Sequence, residues 1–146
     1  MTDGDREAFL AGDRPDDVHV YLDETAVSNP DALESHGERV DGGIVLVLPG
    51  ETARSLFQQA AGIDPMAFAR EAMDTEGEVF PDCTGGICPA SDGDGSDDHR
   101  ARFVFAFAEE QNEEAGDLYA EGDVIHAYVA CACGERYSEK WVAGQR

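Results

Sequence analysis

Residues 42 to 49 read GGIVLVLP, a continuous apolar run rich in β-branched residues and closed by glycine at one end and proline at the other. Such a run is a strand covered on both faces, because a half-solvated strand would alternate apolar with polar residues. The rest of the chain must therefore supply cover for two faces. With 146 residues, 42% of them hydrophobic, it has material for a single domain spanning residues 1–146, and a second independent core is not expected.

Candidates for that cover follow directly. Ala53, Leu56, Phe57 and Ala60 recur at helical spacing, and Asp64-Pro65 starts a second helix with Phe68, Ala69, Ala72 and Met73 as its buried stripe. Val18, Val20 and Leu22 alternate with Asp17, His19 and Tyr21, the period of a half-buried strand. Phe103, Phe105 and Phe107 mark another strand, and Val124 to Ala130 and Arg136 to Val142 two more, joined by a CACG turn. Shorter helices are predicted from Arg6 to Ala11 and from Asn29-Pro30 to Gly37. Periodicity vanishes between Thr75 and Arg100, where the SDGDGSDD segment implies a flexible acidic loop around 89–100. The sum is an α+β fold: a mixed sheet of about five strands, helices from the N-terminal half and a C-terminal antiparallel meander.

Charge bounds the surroundings. Asp and Glu number 32 against 10 Lys and Arg, a net charge of −22, and Lys140 is the one lysine of the chain. At ordinary ionic strength this charge repels itself and destabilises a compact state. In molar salt the Debye length shrinks to about 3 Å and the repulsion is screened. The composition thus predicts a cytoplasmic protein of an extreme halophile. Met1 leads into TDGDRE rather than a basic and then apolar leader, and no apolar run approaches a membrane span, so neither export nor membrane insertion is expected. The absence of any basic cluster argues against nucleic acid as a partner and leaves protein as the expected one.

Four cysteines carry the sharpest chemical question. Cys83 and Cys88 lie in CTGGICP, and Cys131 and Cys133 in ACACGE. One reading is a structural zinc site of all four, since zinc favours four thiolates presented in pairs from two turns. The first pair, with four intervening residues and two glycines, has suitable spacing; the second has one intervening residue where two or more are common. A second reading is buried thiols, because strand parity extended through Ile125, Ala127, Val129, Cys131 and Cys133 places all five on one apolar face. A third is a redox pair of Cys83 and Cys88, whose loop can close, although a reducing cytosol opposes a permanent bridge.

Other clusters are read as solvated charge. Glu109, Glu110, Glu113 and Glu114 crowd one turn, and Asp92, Asp94 and Asp97 lack the ordered spacing and closing glutamate of a calcium loop. His126 has the opposite strand parity from the cysteines and is assigned to the surface. Glu51 occupies the start of the helix after GGIVLVLP and would repel a phosphate there. Tyr128, Tyr137 and Trp141 form either an interface patch or buried packing.

The segments REAFLAGDRPDDV, FAREAMDTEGE and FVFAFAEEQNEEAGDLYAEGDVIHAYVACACGERYSEKWV resemble a family of small acidic haloarchaeal proteins carrying a domain of unknown function, over nearly the whole chain. The resemblance supports salt adaptation and implies no activity or catalytic residues. The sequence thus leads to a non-enzymatic interaction or regulatory domain with a structural zinc at Cys83, Cys88, Cys131 and Cys133, the alternative being a thiol-based redox protein using Cys83 and Cys88.

Overall fold

In the computed structural model, residues 8–9, 11, 17–24, 37–40, 42–80, 83–89, 101–111, 114, 116 and 118–143 are described. Strands β1 (Asp17–Asp23), β2 (Glu38–Val40) and β3 (Gly43–Pro49) lead into helices α1 (Gly50–Ala61) and α2 (Pro65–Ala72). There follow a small ribbon of β4 (Glu78–Val79) and β5 (Gly86–Ile87), the long strand β6 (Ala101–Glu109) and a helical turn α3 (Leu118–Glu121). The hairpin of β7 (Val124–Cys131) and β8 (Arg136–Val142) comes last.

The apolar run is covered on both faces, as its composition requires: Ile44 and Leu46 are buried beneath the helices, and Val45 and Val47 in the cluster on the other side. The α+β class holds. The sheet differs in detail from the sequence expectation, having six strands in the order β2-β3-β1-β6-β7-β8 rather than about five. Every pairing within it is antiparallel rather than mixed. The extra strand, β2, is the three residues ERV, too short and too polar to carry a readable period. The antiparallel order arises because α1 and α2 do not return the chain to a neighbouring parallel strand.

Instead the chain goes around the edge. Thr75 to Gly77 run along the open side of β8, where Ser138 N–H donates to the Thr75 carbonyl at 2.9 Å and Gly77 N–H to the Ser138 carbonyl at 3.0 Å. The chain then reaches the opposite face of the sheet, where Val79 N–H donates to Glu139 Oε1 at 2.8 Å. This wrapped segment passes so close to Tyr137 that only glycine fits. A Cβ on Gly77 would run into the Tyr137 ring, and one on Gly86 would strike the Glu78 carbonyl and lie 2.9 Å from the Tyr137 hydroxyl.

The two faces are filled differently. On the helix face Phe57 of α1 stacks on Phe68 of α2 at 5.8 Å and meets Phe103 and Phe105 edge-on at 5.8 and 5.4 Å. On the ribbon face Tyr21, Val104, Val129, Tyr137 and Trp141 pack with Val79, Cys83 and Cys88. Phe9 joins them and sets its ring 5.6 Å from that of His19. Cover on this second face explains why β1 is buried on both sides rather than half-buried: His19 is 0% and Tyr21 4% exposed. Polar alternation in β1 thus misrepresents its central position.

Asp64 caps α2 by accepting from Met66 N–H at 3.1 Å, and the helix ends at Ala72. Met73, expected in the buried stripe, is the C-cap and 62% exposed, because the stripe closes one residue earlier. Of the helix expected over Arg6 to Ala11, Ala8 and Phe9 are helical and the remainder lies largely outside the described residues, as do the helix before Gly37 and the acidic loop. No described helix is long and apolar enough to cross a membrane.

Substituting Gly86→Ala should therefore destabilise the protein by about 1–3 kcal/mol through overpacking against Tyr137 and the Glu78 carbonyl. Phe57→Ala should cost about 3–5 kcal/mol. Denaturant unfolding monitored by circular dichroism checks both; a neutral Gly86→Ala would mean that the ribbon does not lie on Tyr137.

Candidate metal centre

Strand β7 stops at Cys131, and the next residues turn. Gly134, at φ 99°, donates its N–H to the Cys131 carbonyl at 3.0 Å, while Cys131 N–H donates to the Glu135 carbonyl at 2.8 Å. Cys133 is therefore not the next inward position of the strand, as parity would have it, but an exposed residue of the turn. The correction strengthens the chemistry. Curling the chain brings two sulfurs that an extended strand would hold apart to the same place.

The second contribution comes from the ribbon. Phe80 N–H donates to the Gly85 carbonyl at 2.8 Å and Cys83 N–H to the Phe80 carbonyl at 2.9 Å, closing a tight loop before β5 delivers Cys88. Cys88 and Cys133 sulfurs lie 3.7 Å apart. The Sγ atoms of Cys88, Cys131 and Cys133 all lie within 4.8 Å of one another. In a tetrahedral site with Zn–S bonds of about 2.3 Å, neighbouring sulfurs are separated by about 3.8 Å. The three thiols thus stand at the spacing that a soft tetrahedral metal needs, without large rearrangement.

Cys83 is fully buried in the same core cluster but is not one of those three. Its backbone carries a φ of 58°, a left-handed conformation that costs a non-glycine residue about 1–3 kcal/mol. Such strain persists where the surroundings fix it, here a loop whose next residues include Gly85 and Gly86.

Burial sets the electrostatics of the cluster at Cys131. Burial, above all, pushes the Cys131 thiol up to about 12; hydrogen bonds with the Cys133 and Cys88 side chains and the charge of Cys88 add to the rise, and a backbone hydrogen bond at Cys133 opposes it. Burial also raises the Tyr137 phenol, helped by all three sulfurs. A cation among the three sulfurs would favour the thiolate form and offset the burial that opposes ionisation at Cys131.

Other sequence candidates are placed elsewhere. Tyr128, Tyr137 and Trp141 are buried rather than an exposed patch, although Tyr128 also lines a cleft on the helix face. Glu109, Glu110 and Glu114 are exposed, while Glu113 and the aspartates at 92, 94 and 97 lie outside the described residues. His126 does face away from the cysteines, yet its side chain is only 15% exposed. It is covered by Phe107 at 5.2 Å and Tyr119 at 6.0 Å, neither of which its strand parity reveals.

Fold and site together define a small α+β protein with a three-cysteine group able to hold a metal ion. Residues 37–144 match DUF5807, described as a family of unknown function, and the chain belongs to that family. No curated protein and no solved structure matches it.

Because the Cys131 thiol is raised from 9.0 to about 12, metal-free reduced protein should have its full stability below pH 9 and lose it as pH climbs through the folded value. The unfolded chain ionises first, and Tyr137 adds to the decline at the alkaline end. Urea unfolding across that range should show the loss, and Cys131→Ala should remove its lower part.

Proposed function

We propose that this chain is a non-enzymatic interaction or regulatory domain, built for a salt-rich cytoplasm and directed at a protein partner. In this reading a structural zinc ion, held by Cys88, Cys131 and Cys133 with Cys83 as the fourth ligand, fastens the ribbon to the last hairpin. The observation that carries the zinc reading is the convergence of three sulfurs within 4.8 Å from segments more than 40 residues apart, two of them buried and one in a turn. The strained, buried Cys83 backbone supports the fourth assignment. A site closed by four thiolates has no open position for substrate, which is why the role is structural. The net charge of −22 and the near-exclusion of lysine support the salt adaptation.

Protein purified under reducing conditions in molar salt should carry one zinc per chain. Cys88→Ser, Cys131→Ser and Cys133→Ser should abolish that stoichiometry and lower the unfolding midpoint, with Cys83→Ser doing the same. Metal analysis showing no zinc even after incubation with excess ion would overturn the assignment. Loss at three positions but not at Cys83 would leave a three-ligand site.

The redox alternative gains one observation of its own. The exposed Cys133 lies 3.7 Å from Cys88, which adds this pair to Cys83 and Cys88 as a candidate for oxidation. Mass spectrometry of disulfide-linked peptides after mild peroxide treatment of metal-free protein separates the pairings.

Salt dependence tests the other half of the proposal. Lowering ionic strength from about 1 M to about 0.1 M lengthens the Debye length from about 3 to about 10 Å. Unfolding on dialysis into dilute buffer, reversed by restoring salt, is the expected result.

A further inference from the structure

On the helix face of the sheet, three cross-strand rows run side by side: Phe103, Ala130 and Arg136; then Phe105, Tyr128 and Ser138; then Phe107, His126 and Lys140. Helix α2 covers the first row, where the Arg136 guanidinium lies 5.5 Å over the Phe68 ring and pairs with Glu71. The helix ends before the third row. There a cleft of about 210 Å³ opens, floored by His126, Tyr128, Ser138 and Lys140. Tyr119 of α3 forms one wall, and Met73 and Glu76, just beyond α2, the other.

The cleft is chemically particular. Lys140, the one lysine of the chain, holds its ammonium 5.3 Å above the Tyr119 ring. An arginine would lay a broad planar group across that ring, whereas lysine presents a compact charge and leaves the space beside it open. Tyr119 hydroxyl and His126 Nε2 are 3.4 Å apart, and Phe107 stacks on both His126 and Tyr128 at 5.2 and 5.8 Å. The floor is thus rigid and aromatic, with a cation and a hydroxyl at one side. Glu139 also borders the cleft, but its Oε1 accepts the Val79 N–H and is committed to the ribbon.

We propose that this cleft binds a small amino-acid-type zwitterion with an aromatic side chain. Its carboxylate sits on Lys140 and Ser138, its ammonium faces Glu76, and its ring lies against Tyr119, Tyr128 and Met73. A bare anion would meet the Glu76 carboxylate and a bare cation the Lys140 ammonium; a ligand carrying both charges is complementary to both. In concentrated salt only charges at contact range discriminate, so this pairing survives where long-range steering does not. An apolar cavity of about 150 Å³ accommodates benzene, and the space here adds room for the charged end. The proposal is independent of the metal centre, which lies on the opposite face.

Titrating the reduced full-length protein in molar salt with L-phenylalanine, 3-phenylpropionate and phenethylamine, while following the His126 imidazole resonances, tests it. A saturable shift with L-phenylalanine is expected, with both single-charge analogues binding more weakly. Lys140→Met and Glu76→Gln should each weaken L-phenylalanine by about tenfold or more, Lys140→Arg less so. Amide spectra identical outside the cleft show that each variant is folded. No shift with any of the three, equal binding of all three, or L-phenylalanine binding indifferent to both charge-removing substitutions overturns the proposal.

Discussion

A sheet with two apolar faces has to be shielded on both, and in this chain the two covers are made of different materials. Helices α1 and α2 supply a conventional layer, with Phe57 and Phe68 driven into a bed of phenylalanines from β6. No helix pair of similar size covers the other face among the described residues. There the cover includes Phe9, a two-stranded ribbon of two residues per strand, and cysteines. So thin a layer contributes little hydrogen bonding of its own, and its hold on the sheet depends on close packing at Tyr137 and around the buried cysteines.

That dependence gives the cysteine group its meaning. The ribbon reaches its position by rounding the β8 edge, which consumes the edge's free hydrogen-bonding groups near Ser138 and so protects it from pairing with another chain. Glycines at 77 and 86 let the backbone come down onto an aromatic ring. Cys88 then faces the turn that carries Cys131 and Cys133. A metal in this place would tie the thinner covering layer to the last hairpin, a role suited to small domains whose cores are thin on one side.

The helix face has the reverse arrangement. Its cover is substantial but short, ending at Ala72, and beyond it His126, Tyr128, Ser138 and Lys140 become the floor of a cleft. The one lysine of a chain that otherwise uses arginine stands there, above an aromatic ring. The cysteine group and the cleft therefore lie on opposite faces of the sheet, the cysteines at the turn between β7 and β8 and the cleft over the bodies of those strands.

Period and composition determined much of this. The apolar run of β3, the phenylalanine alternation of β6, the limits of β8 and the positions of both long helices were legible, because each is long enough for its periodicity to report burial. What tertiary structure decided was anything set by neighbours rather than by spacing. His19 and Tyr21 are polar-capable residues in a central strand, buried because Phe9 and the second cluster lie over them. The β4–β5 ribbon has two-residue strands that carry no period at all. Cys133 meets Cys88 because the chain turns after Cys131, and Lys140 meets Tyr119 because α3 arches back over β8. Local sequence encodes which faces must be hidden; only the folded chain fixes what hides them, since contacts between distant segments depend on the path of the backbone between them.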